Sequence, residues 1–408
     1  MTDGQLAAEA PAAPVRRGGA AVRIAVIYVA ARLATTLLLL LAAQLSGFGT
    51  RMGADADLGS TIVAWDGTWY WLIAYSGYPS QLPLTDAGQI AENAWAFLPI
   101  FPYLAQWVSL PFGQWAIGAL IVSLVAGYAA SLVLYRLLRL RLDESAALWA
   151  VVFFASGPLA ALFQVGYAET LNLLWLFCAL WCVMRRKYGW LYLLIPLMAF
   201  TRPGVLAFAL FLALFGIWRW LIRRREHLGA REIVHIIVLG LLAVAAGFAW
   251  QAIAGWVTGD AGAYLSTELA WRRNWILGDA SFAPFEAFDA GIRFWFVTMW
   301  QLPLVWGYIA VGAGIVAIAA ALLFLPQVRR LGVEIRLWSA SYLFYLVLVF
   351  FPQSSVFRLL VPLSPLWGAV AVPRSRVWRV GVLVACLVGQ WWWIYNMYAL
   401  GNTAWQVP

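Results

Sequence analysis

Val22 to Leu45 reads VRIAVIYVAARLATTLLLLLAAQL, an apolar run whose two charged residues are Arg23 at its edge and Arg32 near its middle. A helix needs about 20 apolar residues to cross a bilayer core, so this stretch is a membrane span. It is too long for the core of a cleaved signal peptide. Arg32 needs its own explanation, because a charge inside a span usually faces the protein interior. Residues 1–21 ahead of the run are rich in Ala, Pro and Gly, with Arg16 and Arg17 at their end, and read as a disordered cytoplasmic tail.

The same pattern recurs along the chain, at 115–137, 145–164, 168–184, 188–201, 203–222, 233–257, 300–325, 337–352, 356–373 and 378–399. Of the 408 residues, 64% are hydrophobic and 11% charged, where a soluble domain carries about 25% charged residues. The expected fold is an all-α polytopic membrane protein, a bundle of about eleven transmembrane helices, with residues 22–408 as a single transmembrane domain. A net charge of +9 would point to nucleic acid in a soluble protein. Here the arginines stand in short groups between apolar runs, where membrane insertion places them, so no nucleic-acid partner is expected. Cys178, Cys182 and Cys386 all sit within apolar runs and imply no disulfide framework.

With the amino terminus in the cytoplasm, every second connection holds a basic cluster: Arg136/Arg139/Arg141, Arg185/Arg186/Lys187, Arg223/Arg224/Arg225/Arg231, Arg329/Arg330/Arg336 and Arg374/Arg376/Arg379. That agreement sets the orientation. The opposite connections are two long loops, 46–114 and 258–299, the turns at 166–169 and 201–204, and the stretch 351–358. They hold 11 of the 18 acidic residues, so the expected chemistry is extracytoplasmic. Trp65, Trp69, Tyr70, Trp71 and Trp95 in the first long loop, and Trp271, Trp275, Phe282 and Phe285 in the second, call for short helices lying in the membrane interface. Residues 94–112, with three prolines, are expected to form a hairpin or re-entrant piece.

The strongest local signal is Trp65-Asp66-Gly67-Thr68-Trp69-Tyr70-Trp71, which continues to Gly77-Tyr78-Pro79. Gly67 permits a close backbone approach or a positive φ. Asp66 is placed either to cap the helix that follows or to act as an acid/base group. Glu92, ahead of Asn93-Ala94-Trp95, is a second acid/base candidate or a solvated loop residue. Glu169 follows Tyr167 at the start of a span, where it suits the positive end of the helix dipole or an arginine partner. Arg202 and Arg358 stand alone, away from the clusters that topology explains. Their guanidiniums suit phosphate oxygens; the other readings are snorkelling to the interface or an ion pair with Glu169 or Asp66.

Both histidines, His227 and His235, flank a connection on the arginine side, so no histidine metal site is expected among the acids. No nucleotide-binding glycine loop and no Gly-x-Ser-x-Gly turn stands out. ATP-driven transport, redox chemistry and serine hydrolysis lose support accordingly.

Taken together, the Trp65-to-Pro79 stretch, Ala96-Phe97-Leu98-Pro99-Ile100-Phe101-Pro102, Gly166-Tyr167-Ala168-Glu169-Thr170-Leu171, Thr201-Arg202-Pro203-Gly204 and Phe357-Arg358-Leu359-Leu360-Val361-Pro362 resemble the GT-C glycosyltransferases. Within that class the chain looks most like the PIG-V mannosyltransferase family. The resemblance implies a GT-C-like bundle with extracytoplasmic interfacial helices and direct, inverting transfer of a sugar, mannose by analogy, from a polyprenyl-phosphate donor to a lipid-linked or cell-envelope glycan acceptor. Asp66 would be the general base. Arg358 and Arg202 would bind the donor phosphate, while Glu92, Glu169, Trp65, Gly67 and Tyr70 would surround the acceptor and support these groups. It implies no cofactor and requires no metal. Arginine outnumbers lysine 26 to 1, a bias of GC-rich genomes, which points to a bacterial plasma membrane. The rival class is a transporter or flippase of a lipid-linked sugar, which would place ionisable groups near mid-membrane with access from both sides. A third is a non-catalytic scaffold whose partner supplies the base.

Overall fold

The computed structural model describes residues 17–50, 52–54, 56–275 and 282–399. Most of the expected amino-terminal tail, 1–16, lies outside the described residues; its last five positions belong to the first helix, α1 (Arg17–Leu45). The first long loop folds into α2 (Leu58–Val63), α3 (Asp66–Ser76) and α4 (Ile100–Ser109). Then come α5 (Trp115–Leu138), α6 (Glu144–Ser156), α7 (Glu169–Met184), α8 (Leu191–Ala199), α9 (Val205–Leu221) and α10 (Ala230–Thr258). The second long loop holds α11 (Ala263–Arg272) and α12 (Glu286–Arg293). The chain closes with α13 (Leu304–Phe324), α14 (Pro326–Arg329), α15 (Val333–Val349), α16 (Val356–Leu359), α17 (Trp367–Ala371) and α18 (Arg376–Ile394).

The protein is thus an all-α polytopic membrane protein. Among the described residues, α1, α5, α10, α13 and the segment Arg376–Ala399 are long and apolar enough to cross a membrane, and shorter apolar helices fill the spaces between them. The shortening has local causes. The expected span 145–164 stops at Ser156, before Gly157-Pro158, and resumes only as a 3-10 turn, Ala160–Phe163. The expected span 356–373 becomes α16, a 3-10 turn over Val361–Leu366, and α17, because Pro362 and Pro365 supply no backbone N–H and restrict the residue before them. Residues 94–112, expected to form a hairpin or re-entrant piece, hold a 3-10 turn (Ala94–Ala96) and the single helix α4, and the hairpin is the one that α4 makes with α5.

Arg32 faces inward, 6% exposed. It donates to the Ala160 carbonyl at 2.6 Å, to Gln164 Oε1 at 3.3 Å and to the Ala155 carbonyl, and so staples α1 to the broken end of α6. At the other end of the bundle the arginine clusters do more than record topology. Arg219, buried, is held by Glu226 (2.9 Å) and Glu232 (3.1 Å), Arg141 meets Glu334 (3.2 Å), Arg374 meets Asp143 (3.0 Å), and Arg23 pairs with Glu144. By contrast, α13 has Gly307 as its buried residue and leaves most of its surface exposed, as a lipid-facing helix does.

Candidate active site

The site begins at the turn between α2 and α3. Trp65 has φ +58°, a left-handed conformation that costs a bulky residue about 1–3 kcal/mol and survives only where the surroundings enforce it. Its indole N–H donates to the Met397 carbonyl at 3.0 Å, which ties the turn to the end of the last helix. Helix α3 starts at Asp66 and its capping position is Trp65, with no side-chain cap. Asp66 therefore does not cap the helix, and its carboxylate is free for other partners. Gly67 is required for space rather than for a positive φ: a Cβ there would lie 2.7 Å from the Ile62 carbonyl oxygen. That oxygen accepts from the Gly166 N–H at 2.9 Å, and a Cβ on Gly166 would fall 2.9 Å from it. One carbonyl thus clamps the Asp66 turn against the segment that leads to Glu169.

Four charged side chains from four separate segments meet there. Asp66 accepts from Arg358 Nη1. Arg358 Nε stands 3.5 Å from Glu169 Oε1, and the same oxygen accepts from Arg202 Nη1 at 2.6 Å. The Arg358 guanidinium also lies over the Tyr167 ring, 5.3 Å from its centroid. The Glu169 side chain is 1% exposed, and the two guanidiniums beside it offset the cost of withdrawing a carboxylate from water. Glu169 begins α7 without capping it, so the ion-pair reading of that residue is the one realised.

The backbone that carries the arginines is itself fixed. Tyr342 of α15 donates its hydroxyl to the Leu359 carbonyl at 2.7 Å, and Trp338 donates to the Pro362 carbonyl at 2.9 Å, which set the segment around Arg358. Arg202 follows α8 in a turn closed by its own N–H to the Met198 carbonyl (3.1 Å) and by the Thr201 hydroxyl to the Leu197 carbonyl (2.6 Å). Gly204, at φ +128°, then reverses the chain in a conformation that glycine adopts readily. Tyr70, buried between Phe97 and Phe101, lies within the electrostatic reach of all four charges. Burial raises its hydroxyl pKa, so it stays a neutral donor.

Of the residues singled out in the sequence, Asp66, Glu169, Arg202 and Arg358 come together, with Tyr70 beside them and Trp65 and Gly67 shaping the turn. Glu92 is not among them: it accepts from the Asn274 side-chain amide at 2.5 Å, near the end of α11. Two residues were not singled out. Tyr398, buried near the carboxyl end of the described chain, couples to Arg358, Asp66, Glu169 and Tyr167. Glu268 of α11 couples to Arg202 and Asp66, and burial pushes its carboxyl up to about 7. No sequence pattern marks either, because both reach the site through the tertiary fold. Among the described residues no three His, Cys, Asp or Glu side chains cluster as metal ligands would.

No family model and no curated protein matches the chain. Among solved structures it is similar to the archaeal oligosaccharyltransferase AglB from Archaeoglobus fulgidus in complex with an inhibitory peptide and a dolichol-phosphate, at 13% identity and a TM-score of 0.43, over 92% of this chain and 56% of that one. The apo form of the oligosaccharyltransferase from that organism gives the same values. Its complex with Zn and sulfate gives 14% and 0.41, over 92% and 53%. The chain spans little more than half the length of these proteins.

Proposed function

We propose that this protein is a GT-C glycosyltransferase that moves a sugar from a polyprenyl-phosphate donor to a lipid-linked or cell-envelope glycan acceptor, at the extracytoplasmic face of the plasma membrane. The observation that carries this reading is the convergence of Asp66, Arg358, Glu169 and Arg202 at the loop end of the bundle. Mannose as the sugar rests on the sequence resemblance alone.

The pairing of Asp66 with Arg358 gives the reaction an order. A donor phosphate offers a guanidinium two oxygens in a matching fork, so donor binding draws Arg358 from Asp66 and leaves that carboxylate able to take a proton. The acceptor hydroxyl then attacks the anomeric carbon. The new C–O bond forms as the sugar–phosphate C–O bond breaks, the electron pair leaves with the phosphate, and the hydroxyl proton passes to Asp66. Arg358, with Arg202 beside it, stabilises the charge growing on the leaving phosphate. Attack opposite the leaving group inverts the anomeric centre.

Asp66→Asn in purified protein, supplied with a polyprenyl-phosphate mannose and candidate lipid acceptors, is expected to lower turnover by roughly 10²–10⁴-fold, the usual contribution of a positioned base. Near-normal turnover in a folded Asn variant removes Asp66 as the base. Translocation of a lipid-linked sugar by reconstituted wild-type protein, without glycosidic bond formation, would replace the enzyme with a flippase.

A further inference from the structure

Helix α11 carries a carboxylate and an indole that the reaction above does not use. Glu268 and Trp271 are three positions apart and so share one face of the helix. That face is fixed from both ends. Thr267, fully buried, accepts from Asn93 Nδ2 at 2.8 Å, and Arg273 donates to the Ile90 carbonyl. Trp271 meets Trp69 edge-on at 5.5 Å and Phe97 at 6.0 Å, and Trp69 stacks on Phe97 at 5.7 Å with an interplanar angle of 13°. Trp69 stands one helical turn after Asp66 on α3, which brings these partly exposed rings to the same side of that helix as Asp66. The buried Trp271 indole N–H has no hydrogen-bond partner among the described residues.

The groups facing Glu268 come from every side. Tyr264 and Arg272 lie on its own helix, Arg202 on the turn after α8, Asp66 on α3 and Tyr345 on α15. The ligand that suits this surface carries several adjacent hydroxyls, to donate to a carboxylate, and a flat C–H face, whose positive edge rests on the negative face of an aromatic ring. An anionic head group has no proton to donate to the Glu268 carboxylate, and neither has a hydrocarbon chain. We propose that Glu268, with the rings of Trp69, Phe97 and Trp271, forms the acceptor subsite, and that the acceptor is a pyranose-bearing molecule whose ring hydroxyls donate to the Glu268 carboxylate.

This assignment rests on the glycosyl-transfer reading for its meaning, but binding at the subsite needs no donor. Burial pushes the carboxyl up to about 7, so its charged, stronger accepting form gains as pH rises and acceptor affinity is expected to fall as pH drops. The test is calorimetric titration of the full chain in lipid nanodiscs with octyl mannoside, against octanol as control, one pH unit above and one below that value. Wild-type protein is expected to bind the mannoside saturably, and more tightly at the higher pH. Glu268→Gln should weaken binding about tenfold at the higher pH, in the range lost with a hydrogen bond to a charged group, and should abolish the pH difference. Trp271→Leu should weaken binding at both pH values and keep the difference. An absence of saturable wild-type binding, or a Gln variant with wild-type affinity and pH dependence, overturns the proposal. Intact mannoside binding with no transfer from any polyprenyl-phosphate sugar would sink the enzyme reading while leaving the subsite standing.

Discussion

Arg358 stands between two carboxylates, and both of its pairings were among the alternatives its isolation in the sequence allowed. Its side chain is 11% exposed and that of Asp66 20%, so the pair is largely withdrawn from water. Arg358→Ala would leave Asp66 and Glu169 facing each other with the intervening cation gone, and breaking a buried pair from one side costs about 3–5 kcal/mol. The expected outcome is a lowered unfolding temperature together with a donor KM raised at least tenfold. Arg358→Lys separates the two effects: an ammonium restores charge balance and much of the stability, but it lacks the fork that grips two phosphate oxygens. Steady-state kinetics over donor concentration, beside a thermal melt, read both, and unchanged donor affinity in the Ala variant would count against phosphate binding.

At the scale of elements, the clamp on the Ile62 carbonyl explains why the Trp-Asp-Gly stretch is the loudest local signal in the chain. A Cβ on Gly67 would approach two backbone oxygens, Ile62 at 2.7 Å and Gly166 at 3.6 Å, and the nearer contact is impossible without moving the turn. Gly67→Ala is therefore expected to cost about 1–3 kcal/mol, as overpacking does, and to lower kcat by tenfold or more because the displaced residue is Asp66's neighbour. A melt and a turnover assay on the same preparation check it; an Ala variant with wild-type turnover would show that the clamp does not position Asp66. The motif itself was legible in the sequence, and so was the need for a glycine. The partner was not, since Ile62 and Gly166 are separated by more than a hundred residues and a shared carbonyl leaves no pattern in either segment. Hydropathy located the apolar runs, but it does not register a missing N–H: Pro158 interrupts the run 145–164, and Pro362 and Pro365 break 356–373, which was already short for a bilayer core. Glu268 was hidden for a related reason: in a ten-residue helix, one acid among several in an aromatic loop carries no period to distinguish it.

For the whole molecule, the division of charge between the two ends is a statement about insertion as much as about chemistry. By the positive-inside rule we propose that the arginine end faces the cytoplasm. In a variant lacking Cys178, Cys182 and Cys386, a cysteine at the exposed position of Ser80 should react with an impermeant maleimide on intact cells, and one at the exposed position of Arg330 only after permeabilisation. The reverse pattern would invert the topology and move the proposed site to the cytoplasm. The acids among the arginines, Asp143, Glu144, Glu226, Glu232 and Glu334, are invisible to a reading that counts only basic residues, yet they cross-link helix ends there. The four-charge cluster at the opposite end has a consequence of another kind. Two guanidiniums and two carboxylates cancel when viewed from beyond a few ångströms, and long-range steering requires a net field. These four groups by themselves thus give a free phosphate or sugar nucleotide in the surrounding water no long-range pull toward Arg358. A donor on a polyprenyl chain, as proposed here, would instead arrive by sliding within the plane of the bilayer, so the site would screen its visitors by how they travel before it tests what they are.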